Sequence, residues 1–327
     1  MINALYVRFI LNRFFMLSRR MLRIKVFKTL FGRILSGSDS TAAAEKELLL
    51  SCGKTVELYL FILSLPAALK KAAEEKIERG LQKFQPTPEE ANPNYKFVEN
   101  RFISILENDP KFLKFLQQKG LSWSEYPAFV KKLYNTVASQ DYFTGYMESG
   151  KNSMTEDIAL VRNIFERELE DNGELADILE EMSLYWTDDL GYVLGSIIKN
   201  MKRIADDGAV SVPDVFQNED DESYAKRLLT MSMLKYNEYT ELIAKHVPHW
   251  DLERLVTSDL MLIVMGITEA VTFETIPLKV TINEYVDISK FYSTPNSRIF
   301  VNGLLDKILQ ELLANGTIVK KGRGLVG

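Results

Sequence analysis

Five cations open the first long helical pattern of this chain: Arg19, Arg20, Arg23, Lys25 and Lys28. The chemistry they suit is neutralisation of phosphate. Cations at a helix N-terminus oppose the macrodipole at a cost of roughly a few tenths of a kcal/mol each, so helix stability does not account for an arginine cluster there. A polyanionic ligand does, and the plainer account is a solvated basic face. Near the other end, Phe300 and Asn302 offer a ring for stacking and an amide for paired donor and acceptor bonds, the groups that read an unpaired base. The plainer account of Phe300 is a core aromatic that opens the last helix.

Other candidate chemistry is thinner. His246 and His249 stand three apart across Pro248 with no cysteine or third histidine near them, which falls short of a zinc set and reads as loop. Cys52 is the single cysteine, so an intramolecular disulfide is excluded and a small core residue in a reducing compartment is expected. Asp188 and Asp189 read as N-cap and first-turn acids rather than a metal pair. Glu269 and Glu284 sit on apolar helices, where a polar tie between helices is the better account than general acid and base. Phosphate-loop, dinucleotide-fold and serine-elbow motifs are missing from the sequence, so no catalysis, cofactor or metal is expected.

The elements that must position these residues are helices. From Trp250 to Ala270, apolar residues Leu252, Leu255, Val256, Leu262, Ile263 and Ile267 recur at the helical period as one stripe. A second helix opens at Ile276-Pro277 and buries Val280, Ile282, Tyr285, Val286 and Ile288. A third carries Val301, Leu304, Leu305, Ile308 and Leu312 and closes at Asn315-Gly316. Upstream, Ile24, Phe27, Leu30, Phe31, Ile34 and Leu35 share one face of a helix over Ser18–Leu35, with Lys25, Lys28 and Arg33 turned outward. A helical run from Ala42 to Leu81 should kink or split at Pro66. Residues 95–210 are helical in texture with acids crowded over 166–181, 213–222 read as an acidic linker, and Ser223 to His246 as one amphipathic helix.

Length 327 with 46% hydrophobic and 26% charged residues describes a globular chain able to bury a core. Net charge is −5, but residues 1–33 hold eight Lys or Arg and no acid. The remainder then has 32 bases against 45 acids, near −13, so positive charge is concentrated at one end. The apolar run 1–17 is interrupted by Arg8, Asn12 and Arg13, short of the about 20 residues a membrane span needs. An extension or upstream-start artefact is the favoured reading, with a membrane-surface segment as the alternative.

Three ordered segments, Trp250-Asp251-Leu252-Glu253-Arg254-Leu255, Ile276-Pro277-Leu278-Lys279-Val280-Thr281-Ile282-Asn283-Glu284 and Phe300-Val301-Asn302-Gly303-Leu304-Leu305-Asp306-Lys307, resemble the C-terminal half of the NusB family of transcription antitermination factors. The block from Ser18 resembles its arginine-rich first helix, and the middle resembles only the longer members. The resemblance implies an all-α, NusB-like helical bundle with an inserted helical region: 1–17 extension, 18–84 and 211–315 core, 85–210 insertion, 316–327 basic flexible tail. It implies a noncatalytic, cytoplasmic factor, without a membrane role, that binds single-stranded boxA-like RNA. Its partners would be NusE, a small-subunit ribosomal protein, and the RNA polymerase antitermination complex reading through ribosomal RNA operons. Asn296, Ser297, Arg298, Phe300 and Asn302 would line the RNA surface beside Arg19, Arg20, Arg23, Lys25 and Lys28. Phe31 would face NusE. Two departures stand out: Asn296 where the family often has an acid, and Phe31 where it usually has tyrosine. Two alternatives remain, an interaction module that kept the fold without RNA affinity and a relative of the NusB-like domain of RNA cytosine methyltransferases.

Overall fold

The computed structural model describes residues 17–247 and 256–325, which leaves 1–16, 248–255 (with His249 and the Trp250–Leu255 segment) and 326–327 outside it. The described residues are helical with no strand, in keeping with the all-α expectation. They form two compact units, Leu17–Cys52 with Phe216–Gly327 and Gly53–Val215. The composition marks a break at the prolines near residue 85. The units part earlier, between Cys52 and Gly53, inside a helix that runs without a break from Thr41 to Leu63.

In the split unit, α1 (Arg19–Ser36) is capped by Ser18, whose Oγ accepts from Met21 N, and ends on Gly37 at φ 65°. The run after it is two helices, α2 (Thr41–Leu63) and α3 (Leu65–Leu81), with Pro66 in the first turn of α3 where no N–H is needed. The most apolar part of Thr41–Leu81 has a mean hydropathy of 1.6 and is 72% buried, which fits helices packed within protein. In the Gly53–Val215 unit follow α4 (Pro88–Ala91), α5 (Arg101–Asn108), α6 (Pro110–Lys119), α7 (Pro127–Ala138), α8 (Asp141–Glu148), α9 (Met154–Glu168), α10 (Gly173–Met182) and α11 (Leu190–Asp207). Its centre is aromatic. Phe61 stacks on Trp123 at 4.1 Å, and Trp186 lies 5.9 Å from Phe61 while its Nε1 donates to Lys54 O. Asp189 stands at the N-cap of α11 but caps nothing with its side chain; its Oδ2 accepts from Thr55 Oγ1 instead.

The split unit continues with α12 (Glu219–Leu234), α13 (Tyr236–His246), α14 (Thr257–Thr272), α15 (Leu278–Tyr292) and α16 (Ser297–Ala314). Of the stretch expected as an acidic linker, 213–218 is outside any helix, but its acidic end is the start of α12: Asn218 caps it, and Glu219, Asp220, Asp221 and Glu222 fill its first turn, where acids favour the dipole. The single helix expected over Ser223–His246 breaks at Lys235, so Leu234 faces solvent rather than the core. His246 closes α13 and is not in a loop. Its Nδ1 lies 2.9 Å from Leu242 O and its Nε2 2.9 Å from Glu311 Oε2.

Helix α14 is the centre of this unit, against which α1, α12, α13, α15 and α16 all pack. Periodicity gives it one apolar stripe, yet Met261–Ala270 is buried all round, as a helix enclosed by neighbours must be. Gly266 makes its approach to α16 possible, because a Cβ there would lie 2.7 Å from Leu305 Cδ2. Val280 and Leu35, assigned to buried faces by spacing, are exposed.

The tail expected to be flexible is docked over 317–325. Ile318 is buried, and Lys320 Nζ donates to Ala270 O and Phe273 O at 2.8 and 3.0 Å, satisfying carbonyls at the end of α14. Lys321 pairs with Glu274, and a Cβ at Gly324 would meet Glu274 O at 2.0 Å. Burial pushes the Lys320 ammonium below its ordinary value, partly offset by Glu269 and Glu274.

Candidate nucleic-acid interface

The cations of α1 are positioned by a carboxylate network inside the split unit. Arg23 is 3% exposed, and its fork is bidentate on Glu269, Nε to Oε2 at 2.7 Å and Nη2 to Oε1 at 3.1 Å. Glu269 also accepts from the Tyr224 hydroxyl and from Thr281 Oγ1 at 2.7 Å, with Tyr285 OH at 3.4 Å. Burial alone would raise the Glu269 carboxyl. The Arg23 charge and the bonds from Arg23, Tyr224 and Thr281 outweigh it and hold the group below the ordinary carboxylate range. Burial likewise lowers the Arg23 guanidinium, and the groups of Tyr224 and Glu269 more than reverse it.

Arg20 is half exposed and bidentate on Glu284, with Nε and Nη2 each at 3.0 Å, and Nη2 reaches Asp287 at 2.8 Å. Arg19 Nε meets Asp221 at 2.8 Å and lies over the Tyr224 ring. These pairs revise the reading of the first turn. Carboxylates from α12, α14 and α15 hold its arginines, which explains cations at a helix start without any external anion. Arg23 is an internal residue, and Lys25, placed outside by periodicity, is 1% exposed. Glu269 and Glu284 tie helices together, as expected. Asp221, Tyr224 and Asp287 were missed; four acids after Asn218 were the available signal, hidden by the linker reading.

At its other end α1 meets the loop that leads to α16. Lys28 Nζ lies 5.6 Å from the centre of the Tyr292 ring and Phe27 packs on the same ring at 5.5 Å. Half-buried Phe31 lies 5.9 Å from Phe27. Tyr292 ends α15 and the chain crosses Ser293–Asn296 to α16, flanked by exposed Phe291 and Ile299.

The predicted loop residues are mostly helical. Ser297, Arg298, Phe300 and Asn302 all lie in α16, with Asn296 at its N-cap position making no side-chain cap bond. Ser297 is 2% exposed, Arg298 and Asn302 are exposed, and Phe300 is half-buried. Two residues along a helix turn the side chain by about 200°, so Phe300 and Asn302 face different flanks of α16. Asn302 lines a 560 Å³ hollow with Lys279 and Asn283 of α15 and Lys320 and Leu325 of the tail. The predicted residues thus fall into separate sets: Lys28 beside Tyr292, Phe31 against Phe27, Asn302 in the hollow, and Arg19, Arg20 and Arg23 on internal acids. Among the described residues, no group of three potential metal ligands is present.

Against known proteins, the NusB family model matches residues 206–310. A "Transcription antitermination protein NusB" of Salinibacter ruber is 40% identical over 104 residues, 32% of this chain and 65% of that relative. Its namesake in Chloroherpeton thalassium is 44% identical over 84 residues, 26% of this chain and 40% of the relative. That of Thermodesulfovibrio yellowstonii is 35% identical over 105 residues, 32% of this chain and 70% of the relative. The chain therefore spans less than two thirds of the first two relatives. No solved structure matches.

Proposed function

Because the chain belongs to the NusB family, we propose that it is a noncatalytic, cytoplasmic RNA-binding factor of transcription antitermination. In this reading it binds boxA-like single-stranded RNA, pairs with NusE, and promotes read-through in ribosomal RNA operons as part of the RNA polymerase antitermination complex. The observation that carries the reading is the seat of Lys28 over Tyr292 at the foot of the loop leading to Arg298 and Phe300. A cation beside an aromatic ring is the pairing that grips a phosphate and stacks a base, which supports the reading. Lys28, Arg298 and Phe300 are its principal contacts, with Asn296 beside them. Arg20 joins only by exchanging Glu284 and Asp287 for phosphate. The Gly53–Val215 unit supplies packing and contact with a further partner.

The second reading, an interaction module without RNA affinity, draws on the same network: Arg19, Arg20 and Arg23 are already matched by carboxylates. Titration of a labelled boxA-like RNA at two salt concentrations, with and without NusE, separates the two. RNA binding is expected to weaken with salt, the logarithmic slope changing by about 0.7 for each phosphate that a variant no longer neutralises. Phe300→Ala should weaken binding about tenfold, within the range for one stacked base. Lys28→Ala should weaken it and also flatten the salt slope, and Arg20→Ala should act in the same direction with a smaller effect. No binding under any condition leaves the interaction module.

A further inference from the structure

We propose that Asp259 is a positioning residue for the Ser293–Asn296 loop, holding it in the form that presents Arg298 and Phe300 to RNA. The inference rests on the RNA reading above and adds a residue that touches no ligand. Asp259 lies in the first turn of α14 and is 4% exposed. Its Oδ2 accepts from Ser297 Oγ at 2.7 Å. Around that serine, itself nearly fully buried, the loop is gathered by hydroxyl groups. Ser293 Oγ lies at 2.9 Å and Thr294 Oγ1 at 2.8 Å from Ser297 Oγ, and Thr294 N donates to it at 3.1 Å. Ser258, next to Asp259, donates to Ser293 Oγ at 2.9 Å.

The carboxylate sets the direction of this chain. A serine hydroxyl has one proton and two acceptor sites, and an ionised carboxylate is a stronger acceptor than another hydroxyl. The Ser297 proton therefore goes to Asp259, which leaves the two acceptor sites of the Ser297 oxygen for Thr294 N and one neighbouring loop hydroxyl. One buried acid thus sets the orientation of the hydrogen bonds that close the turn between α15 and α16. Among the described residues no donor reaches Asp259 Oδ1, which is buried. As a first-turn acid Asp259 also suits the dipole of α14, so the one carboxylate serves both the helix start and the turn.

Three variants of the full chain test this: Asp259→Ala, Asp259→Asn and Ser297→Ala, each with circular dichroism to confirm that it folds. Asp259→Ala should bind the boxA-like RNA about tenfold more weakly with an unchanged salt slope, because every group that meets a phosphate is still present. Asp259→Asn keeps a carbonyl acceptor for Ser297 and should recover most of the affinity, and should fold if the alanine variant does not. Ser297→Ala should match Asp259→Ala. Amide hydrogen exchange at Thr294 should accelerate at least about tenfold in both alanine variants and stay near wild type in Asp259→Asn. Unchanged RNA affinity, a flattened salt slope or unaltered Thr294 exchange in the alanine variants overturns the proposal. A wild-type protein that binds no RNA overturns the functional reading and, with it, the RNA role of the loop; Thr294 exchange then decides separately whether Asp259 holds the turn.

Discussion

Glu269→Ala lowers the free energy of unfolding by about 3–5 kcal/mol, the range for removing one partner of a buried ion pair. The loss comes chiefly from what is left behind. Arg23 would keep its charge in a site only 3% exposed, with Glu284 at 3.5 Å as its remaining carboxylate, and Tyr224 and Thr281 would each lose an acceptor. Urea unfolding of the two proteins at neutral pH measures the difference. A change under about 1 kcal/mol would mean that the bundle reorganises to solvate Arg23. The same ion pair gives the wild type a pH dependence. The folded Glu269 carboxyl lies below its ordinary value of 4.5, so its stabilisation is fully present above that value and is lost as pH falls through the folded one. The gap between wild type and Glu269→Ala should therefore narrow below about pH 4.5. A double change of Arg23 and Glu269 to apolar residues should recover much of the loss.

Trp186→Ala destabilises the Gly53–Val215 unit by about 3–5 kcal/mol, the usual cost of emptying a buried tryptophan site. The ring fills the space beside Phe61, and the change also removes its Nε1 bond to Lys54 O at 2.7 Å, leaving that carbonyl with its helical partner alone. Trp186→Phe keeps much of the ring and omits the bond, so about 1 kcal/mol is expected for the hydrogen bond and more for the smaller volume. Denaturant titration followed by near-ultraviolet circular dichroism reads both variants. Equal losses for alanine and phenylalanine would show that the hydrogen bond, not packing, carries the effect.

What the sequence made legible is what lies close along the chain. The helical period, Pro66 in the first turn of α3, Ser18 before α1 and the glycine after Asn315 all act over a few residues, so the all-α class and most helix positions follow from them. The family resemblance in the last hundred residues matched the segment now assigned to NusB. Which face of a helix is covered depends on distant partners. Arg23 is taken inward by Glu269, 246 residues away, and Arg20 is met by Glu284, 264 residues away. No local pattern separates such an arginine from one that waits for phosphate. Lys25 and Val280 changed sides for the same reason: the neighbours of α1 and α15 do not cover the arc a simple amphipathic wheel assigns. The site was legible as a list of residue types but not as a surface, because the segment after Asn296 is already helix and turns Phe300 away from Asn302.

The close approach at Gly266 has a consequence for how this bundle evolves. Leu305 occupies the room that a side chain at 266 would need, so drift at either position is conditional on the other. An alanine becomes tolerable at 266 once 305 has shed carbon atoms, and a bulkier 305 survives only while 266 stays bare. Selection acts there on a shared volume rather than on two separate letters. In a deep collection of relatives, that constraint would leave its trace as correlated replacement.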